Sequence, residues 1–424
     1  MINRKQTLDY QDIRMPKFIN TEIIPLDKDI DVYITQGGSQ YLCRIDLVYE
    51  AGTKIQQKPL QALLCNAMLL EGTNSQKGHD IHEHLDFYGA FTQLEINTDR
   101  ATISLFTLNE HFDAVFPIFT KAINNAVFPE ELIKVLIDQK KQEFEINREK
   151  VEFIARDEFF KNLFSDHPYG QSVQLSDFDN IHRADLVEFH KNRYKKGNLK
   201  VYVAGQKPKN LQSLLVDAFC DFEPLDRVEL IPLKFSDVFQ KNHIAKKGAM
   251  QSAIRIGRPF FNSNHQDYHS FKFLSVVLGG YFGSRLMHNL REDKGLTYGI
   301  GAMCVQQEEH GYFVISTEVK GQSTELALKE IYNELEILRN ELISLEELSL
   351  VKSYIMGQIL KSADGPFSQS NLLKNMHIQS TGFEFYSTYQ HMLDHLDAEH
   401  LKLLANTYLK EQDLCEVVVG NISF

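Results

Sequence analysis

The pattern of apolar and polar positions predicts a first series of strands and helices in the N-terminal part of the chain. Alternating, β-rich stretches are typical of strands, whereas apolar residues spaced three and four apart are typical of helices. The predicted strands are 31–35, 42–49, 91–96, 100–107 and 198–205, the last ending at Gly205. The predicted helices are 59–70, 110–126, 129–164, 183–194 and 209–219.

A second series repeats this order. Its predicted strands are 250–257, 297–305, 311–319 and 416–420, and its predicted helices are 265–278, 284–293, 323–340, 344–362, 366–379, 382–394 and 397–408. The chain is therefore predicted to be an α+β protein with an internal duplication, each copy a mostly antiparallel sheet covered by helices. The predicted domains are 1–222 and 240–424, and the proline-containing stretch 223–239 is the expected linker.

The stretch 279–300 carries the strongest candidate site. Its glycines, Gly279, Gly280 and Gly283, suit a loop that approaches other backbone closely or adopts positive φ. Ser284 is expected to cap a short helix, which Leu286 and Leu290 anchor on one face. The unit would present Arg291 and Tyr298, whose guanidinium and phenol can donate to a peptide carbonyl. Dipole compensation and strand packing are the alternative interpretations of these two residues.

The segment Arg291-Glu-Asp-Lys-Gly-Leu-Thr-Tyr298 resembles the arginine/tyrosine signature of pitrilysin/insulinase-type zinc peptidases. The preceding glycines resemble that family's glycine-rich loop, and the resemblance implies that this loop binds substrate. In two-chain members of the family, one subunit carries zinc on an H-x-x-E-H helix and the other carries the arginine/tyrosine pair. The resemblance implies that Arg291 and Tyr298 act on a peptide at a partner's zinc site.

The zinc motif itself is degenerate in this chain. Alignment on Gly72-Thr73 places the motif at Leu63, Leu64, Cys65, Asn66 and Ala67. Leu63 and Ala67 offer no metal ligand, and the amide of Asn66 cannot act as a general base. Counting back from His167-Pro-Tyr-Gly170, which resembles a turn of the family, places Glu143 near the third ligand position. We expect no metal in this chain.

A second histidine cluster follows the degenerate motif. His79, His82, Glu83 and His84 lie in a stretch that is expected to form the next helix. His79 and His84 are five residues apart, whereas the inverted motif needs two histidines four apart on one helical face. A solvated helix face explains this cluster better than a metal site.

The composition indicates which kinds of partner and which location to expect. A chain of 424 residues with 43% hydrophobic and 24% charged residues is typical of a globular protein of two or more domains. Its net charge of −12 argues against nucleic acid as a partner. The five cysteines form no C-x-x-C pair, no stretch reaches membrane-spanning length, and Met1–Tyr10 lacks an apolar signal core. We expect a cytoplasmic protein that does not enter membranes.

Two functional hypotheses follow from the residues and the resemblance. In the first, the chain is the non-zinc subunit of a heterodimeric zinc endopeptidase, inactive alone and paired with a similar-length homologue that carries H-x-x-E-H. Its substrates would be peptides, and the zinc would lie in the partner. In the second, the chain is a catalytically inactive homodimeric scaffold or peptide-binding protein of the same fold.

Overall fold

The computed structural model describes residues 14–27, 30–219 and 241–421 of the chain. We call 14–219 the N-terminal half and 241–421 the C-terminal half. The strands of the N-terminal half are β1 (Glu22–Asp27), β2 (Ile30–Gln36), β3 (Leu42–Tyr49), β4 (Phe91–Ile96), β5 (Ala101–Leu108) and β6 (Leu199–Gly205). Its helices are α1 (Gln61–Ala67), α2 (Gly78–Phe87), α3 (Phe112–Asn124), α4 (Glu130–Asn147), α5 (Val151–Phe164), α6 (Asp177–Asn180), α7 (Arg183–Arg193) and α8 (Leu211–Phe219).

The C-terminal half has five described strands and six described α-helices. The strands are β7 (Lys241–Ala245), β8 (Gln251–Phe260), β9 (Thr297–Gln306), β10 (Gly311–Lys320) and β11 (Cys415–Gly420). The helices are α9 (Tyr268–Ser275), α10 (Thr324–Asn340), α11 (Leu345–Ser362), α12 (Gly365–Ile378), α13 (Glu384–His395) and α14 (Ala398–Tyr408). Two π-helical segments, Val276–Gly280 and Met287–Asp293, lie between α9 and β9.

The two sheets share one strand order, which confirms the predicted α+β fold. The N-terminal sheet runs β1-β2-β6-β3-β5-β4 and the C-terminal sheet runs β7-β11-β8-β10-β9. In each sheet one pair is parallel, β2 with β6 and β7 with β11, and the other neighbours are antiparallel. β1 is the strand of the N-terminal sheet without a counterpart among the described residues. Its pairing on β2 extends the sheet by one edge strand.

The halves exchange helices across their junction. α5 belongs to the N-terminal half, but its Phe159 and Leu163 pack against Val417 and Val419 of the C-terminal sheet. α12 belongs to the C-terminal half and packs on β2 and β6. On α12, Lys374 pairs with the buried Asp46 of β3 at 2.7 Å. Each sheet is therefore covered in part by a helix from the other half.

The hairpin between β9 and β10 adds a charged contact to this junction. The Lys54 ammonium lies 2.6 Å from Glu308 and 3.1 Å from Asp99, and Arg100 also pairs with Glu308. Burial alone would lower the pKa of Lys54, but Asp99 and Glu308 together raise it above its ordinary value. The Tyr169 hydroxyl donates to the same Asp99 at 2.7 Å. This cluster fixes the tip of the hairpin against the N-terminal half.

Two predicted helices have other bounds in the structure, and not every strand was predicted. The predicted helix 129–164 is two helices, because the chain turns at 148–150 to carry α5 onto the other sheet. The predicted helix 59–70 is shortened to α1, since Leu60 has a left-handed φ of 70° and Met68 is no longer helical. β7 is a strand that the pattern did not predict. The predicted linker 223–239 lies outside the described residues.

Candidate functional site

The helix at the degenerate zinc motif is part of the N-terminal core. Leu64 and Cys65 are fully buried, and Asn66 is 2% exposed. The Tyr194 hydroxyl donates to the Asn66 side-chain oxygen at 3.2 Å, so the amide is held by a neighbouring helix. Burial raises the pKa of the Cys65 thiol well above its ordinary value, so this thiol stays protonated at neutral pH. The residues at this position fit a packed core and do not fit a zinc ion.

A cavity of about 590 Å³ lies beside two of the predicted motif positions. Leu63 of α1 and Glu143 of α4 both line it, together with Val305 and Gln306 at the end of β9. Glu143 is half-exposed and pairs with Lys140 at 2.9 Å, one turn away on the same helix. The cavity therefore brings two predicted motif positions together and adds residues of the other half.

Aromatic side chains supply much of the cavity wall. They come from α4, α5, the turn after α5, α6 and β10, and they are Phe144, Phe153, Phe160, Tyr169, Phe178 and Tyr312. The Arg156 guanidinium lies 4.7 Å from the centre of the Phe153 ring at this wall. Sequence reasoning did not single out these residues, because their joint position depends on the exchange of α5. An apolar, aromatic-lined space of this size can hold a bulky apolar side chain.

The histidine cluster lies on α2, apart from this cavity. His82 contacts Glu71 at 3.3 Å, and His84 bonds the carbonyl of Ala114 at 3.2 Å. Within 14–27, 30–219 and 241–421, no group of three or more His, Cys, Asp or Glu side chains is placed to hold a metal ion. These contacts are those of a helix that packs on its neighbours.

The glycine-rich stretch is tightly packed against β9. A Cβ on Gly279 would lie 2.4 Å from the backbone nitrogen of Ala302, a distance that real Cβ atoms do not reach. None of Gly279, Gly280 and Gly283 has φ in the left-handed region, whereas Gly295 does, at 59°. Of the two expected uses of these glycines, close approach is therefore the one observed, and it is clearest at Gly279.

Buried leucines and an ion pair hold the stretch that follows. Leu286 and Leu290 are fully buried, as their spacing predicts, although the segment is π-helical rather than α-helical. Arg285 forms a two-armed pair with Glu347 of α11, at 2.9 and 2.7 Å. The predicted cap is wrong, because the buried Ser284 hydroxyl has no hydrogen-bond partner among the described residues. Packing and this ion pair hold the segment instead.

Arg291 and Tyr298 lie at the end of this packed segment and on the strand that follows it, and both are accessible to solvent. The guanidinium of Arg291 is half-buried and lies 4.8 Å from the ring centre of Phe282, which is 60% exposed. Tyr298, the second residue of β9, is 91% exposed. Neither side chain forms a hydrogen bond or ion pair with the rest of the described chain. Both keep their donors available to a bound molecule.

The chain is similar to zinc peptidases and their inactive relatives, although Leu63 and Ala67 at its motif positions offer no metal ligand. A family model described as "Peptidase M16 inactive domain" matches residues 180–355, which include the glycine stretch, Arg291 and Tyr298. An uncharacterized zinc protease of Rickettsia felis is 22% identical over 331 residues, 76% of this chain and 78% of the relative. A non-peptidase homologue of Helicobacter pylori is 21% identical over 395 residues, covering 89% of this chain and 88% of that protein.

Solved structures show the same fold. A peptidase M16 inactive domain from Pseudomonas fluorescens superposes with a TM-score of 0.86 at 22% identity, covering 95% of this chain and 99% of that one. These comparisons confirm the resemblance to the pitrilysin/insulinase-type peptidases, and several of the similar proteins are described as an inactive domain, a probable inactive metalloprotease or a non-peptidase homologue. None of the helices in the described part of the chain is long and apolar enough to span a membrane.

Proposed function

We propose that this chain is the non-zinc subunit of a heterodimeric zinc metalloendopeptidase. The observation that carries the proposal is the arrangement around Arg291 and Tyr298. Both side chains follow a segment fixed by Gly279 and by the Arg285–Glu347 pair. Tyr298 is almost fully exposed and Arg291 is half-buried, and both keep their donors free of partners within the described chain. A pure scaffold has no evident use for two such donors on a rigid base.

In this proposal Arg291 and Tyr298 act on the substrate in the chamber between the subunits. The partner, a similar-length homologue with an intact H-x-x-E-H motif, supplies the zinc and the attacking water. Arg291 and Tyr298 donate hydrogen bonds to the peptide carbonyl and stabilise the negative charge that develops on its oxygen. The peptide is proposed to pass beside the glycine stretch Gly279–Gly283, whose packing on β9 holds the two donors in position. This chain alone is expected to hydrolyse no peptide.

Capture of the chain from its native lysate, with mass spectrometry of what co-purifies, tests the partnership. A stoichiometric protein of similar length that carries H-x-x-E-H is the expected result. Recovery of the chain alone, as a monomer or homodimer, would contradict the heterodimer.

Kinetics of the reconstituted heterodimer test the two residues. Arg291→Ala and Tyr298→Phe are each expected to lower kcat by roughly 10- to 1,000-fold, since each removes one donor to the developing oxyanion. Arg148→Ala and Tyr41→Phe change the same residue types at exposed positions of the other half and should leave kcat unchanged. Unaltered rates in both test variants would refute the catalytic role of the pair.

A second candidate is a catalytically inactive homodimeric scaffold or peptide-binding protein. The aromatic-lined cavity at Leu63 and Glu143 favours it, because that cavity can hold a peptide side chain without any metal. We also propose a cytoplasmic location for either form. The described cysteines, Cys43, Cys65, Cys304 and Cys415, are free thiols, as is usual in a reducing compartment.

A further inference from the structure

A second cavity, of about 650 Å³, lies entirely within the C-terminal half. α9, α11, α12 and α13 surround it, and the end of β9 closes one side. Most of its wall is apolar or aromatic, and the aromatic residues are Tyr268, Tyr354, Phe385, Tyr386 and Tyr389. Its volume lies in the range of cavities that hold small organic molecules.

Lys272 is the one charged residue among those that line this cavity. Its ammonium lies 5.9 Å from the ring centre of Tyr268 and 5.7 Å from that of Tyr389. It forms no ion pair or side-chain hydrogen bond with any part of the chain that the structure describes. Two aromatic faces stabilise a cation only in part, so this ammonium lacks a counter-charge.

The neighbours of Lys272 cannot provide that counter-charge. Burial raises the pKa of the Cys304 thiol to about 12, so the thiol is neutral at physiological pH. Burial likewise lowers the pKa of His269 to about 4, so no second cation competes for an anion here. Burial lowers the pKa of Lys272 itself, because its charge is poorly compensated. A bound anion would reverse that effect.

Neutral polar groups complete the chemistry of the wall. The side-chain amides of Gln358, Asn375 and Gln379 line the same cavity and can donate to a carboxylate oxygen. The wall contains no Asp or Glu that would repel an anion. Charge and polarity therefore favour a single negative charge near Lys272 and an uncharged, apolar remainder among the rings.

We propose that this cavity is a binding site for a carboxylate attached to an apolar body, with Lys272 as its charge partner. Two sources offer this chemistry, a free aromatic acid and the C-terminus of a peptide that ends in an apolar residue. The site is separate from Arg291 and Tyr298 and does not require a partner subunit. Gly280 lines this cavity and also belongs to the glycine stretch, but the binding test below needs neither Arg291 and Tyr298 nor a partner subunit, so its outcome is independent of the peptidase proposal.

Isothermal titration calorimetry on the full-length chain tests the site with matched probes. The free-acid pair is 4-phenylbutyrate and 4-phenylbutanamide, and the peptide pair is N-acetyl-Leu-Phe with a free or an amidated C-terminus. Each carboxylate that binds should bind more tightly than its amide by roughly 10- to 100-fold, the size expected of a charged partner in a buried site. The pair that binds more tightly identifies the source. Equal binding of acid and amide in both pairs, or no binding of any probe, would overturn the proposal.

Lys272→Met removes the charge and keeps the length of the side chain. This variant should weaken carboxylate binding by the same factor, and Lys329→Met, at an exposed position of α10, should not. Because Lys272→Met removes a poorly compensated cation, its melting temperature should be no lower than that of the unchanged protein without ligand. A variant that melts normally and still binds the carboxylates with unchanged affinity would rule out Lys272 as the charge partner.

Discussion

At position 66 an amide lies inside the protein and is held by the hydroxyl of Tyr194. Positions 63 and 67, one helical turn apart, carry side chains that offer no lone pair to a metal. These two side chains are only partly buried, so the surrounding space has not been filled completely. The cavity at this place has three carboxylates in its wall, those of Asp99, Glu143 and Asp157, and Glu143 is the one near the predicted third ligand position.

Restoring two histidines should restore a metal site. Leu63→His with Ala67→His places two imidazoles four residues apart, and Glu143 can complete a three-ligand set. We expect this double variant to bind one Zn²⁺ per chain in equilibrium dialysis with metal analysis.

Removal of the Glu143 carboxylate tests whether this residue is the third zinc ligand. Adding Glu143→Gln should weaken zinc binding by more than the roughly 10- to 100-fold that loss of an outer-shell partner causes. Adding Glu145→Gln, at an exposed position of the same helix, should not. If the zinc affinity does not depend on Glu143, or if the double variant takes up no zinc, then positions 63, 67 and 143 are not placed to bind one metal ion together.

The chemistry of single positions could be predicted from the sequence, but the residues that surround them in the fold could not. The absence of ligands at Leu63 and Ala67 follows directly from side-chain chemistry. The aromatic wall around Glu143 could not be predicted, because Phe160 and Tyr312 reach it only through the exchange of α5 and the pairing of β10. The roles of Arg291 and Tyr298 remain predictions.

At the scale of elements, the glycine stretch and its π-helical neighbours form a tight layer on β9. Gly279 lies where any side chain would collide with Ala302. Wide π turns do not follow from hydrophobic spacing, so the pattern predicted an ordinary helix here. The buried leucines were nevertheless predicted correctly, since three- and four-residue spacing also serves a π segment.

Gly279→Ala should destabilise the protein, because the added methyl group forces this layer away from β9. Overpacking of this kind lowers the free energy of unfolding by about 1–3 kcal/mol, which urea denaturation measures. Gly299→Ala is the matched control, since a Cβ at Gly299 meets nothing within 4 Å. Its effect should stay within about 0.5 kcal/mol. Equal losses in the two variants would contradict the packing role of Gly279.

Element types were predictable where one local signal dominated. β3 and β5 were predicted from β-rich, apolar stretches. The predicted helix 344–362 agrees with α11, which begins after Ser344, and the Ser344 hydroxyl accepts from the Glu347 amide at 3.1 Å. The break between α4 and α5 was not predictable, because residues 147–150 contain neither glycine nor proline. That break serves packing on the other sheet, which a local pattern does not report.

At the scale of the whole molecule, His377 joins the halves. It lies on α12, where its Nδ1 is 2.9 Å from the Tyr202 hydroxyl, which can donate to it, and its ring centre is 4.4 Å from that of Tyr33. Burial, with a smaller contribution from Lys200, lowers the pKa of His377 to about 4, against the opposing effect of Asp31. The neutral ring is therefore the form that fits the junction.

Stability should fall as the pH drops from about 6.5 to about 4. The unfolded histidine takes up a proton near pH 6.5 and the folded one only near pH 4, so the stabilisation present above pH 6.5 is lost across this window. After discounting for partial exposure, the loss amounts to about 1–2 kcal/mol. His377→Gln should reduce the pH dependence by this amount in urea denaturation at several pH values. His391→Gln, at an exposed position of α13, should leave it unchanged; identical slopes in all three proteins would exclude His377.

The exchange of α5 and α12 has a consequence for how such a chain could arise. In a single ancestral copy, one face of the sheet would be uncovered and one helix would have no sheet to pack on. Two identical copies could each cover the other's sheet with this helix. Joining the copies in one polypeptide makes their association intramolecular, so that it no longer depends on protein concentration. Each copy is then free to change separately: the N-terminal copy has Leu63, Asn66 and Ala67 at the motif positions, and the C-terminal copy carries Arg291 and Tyr298.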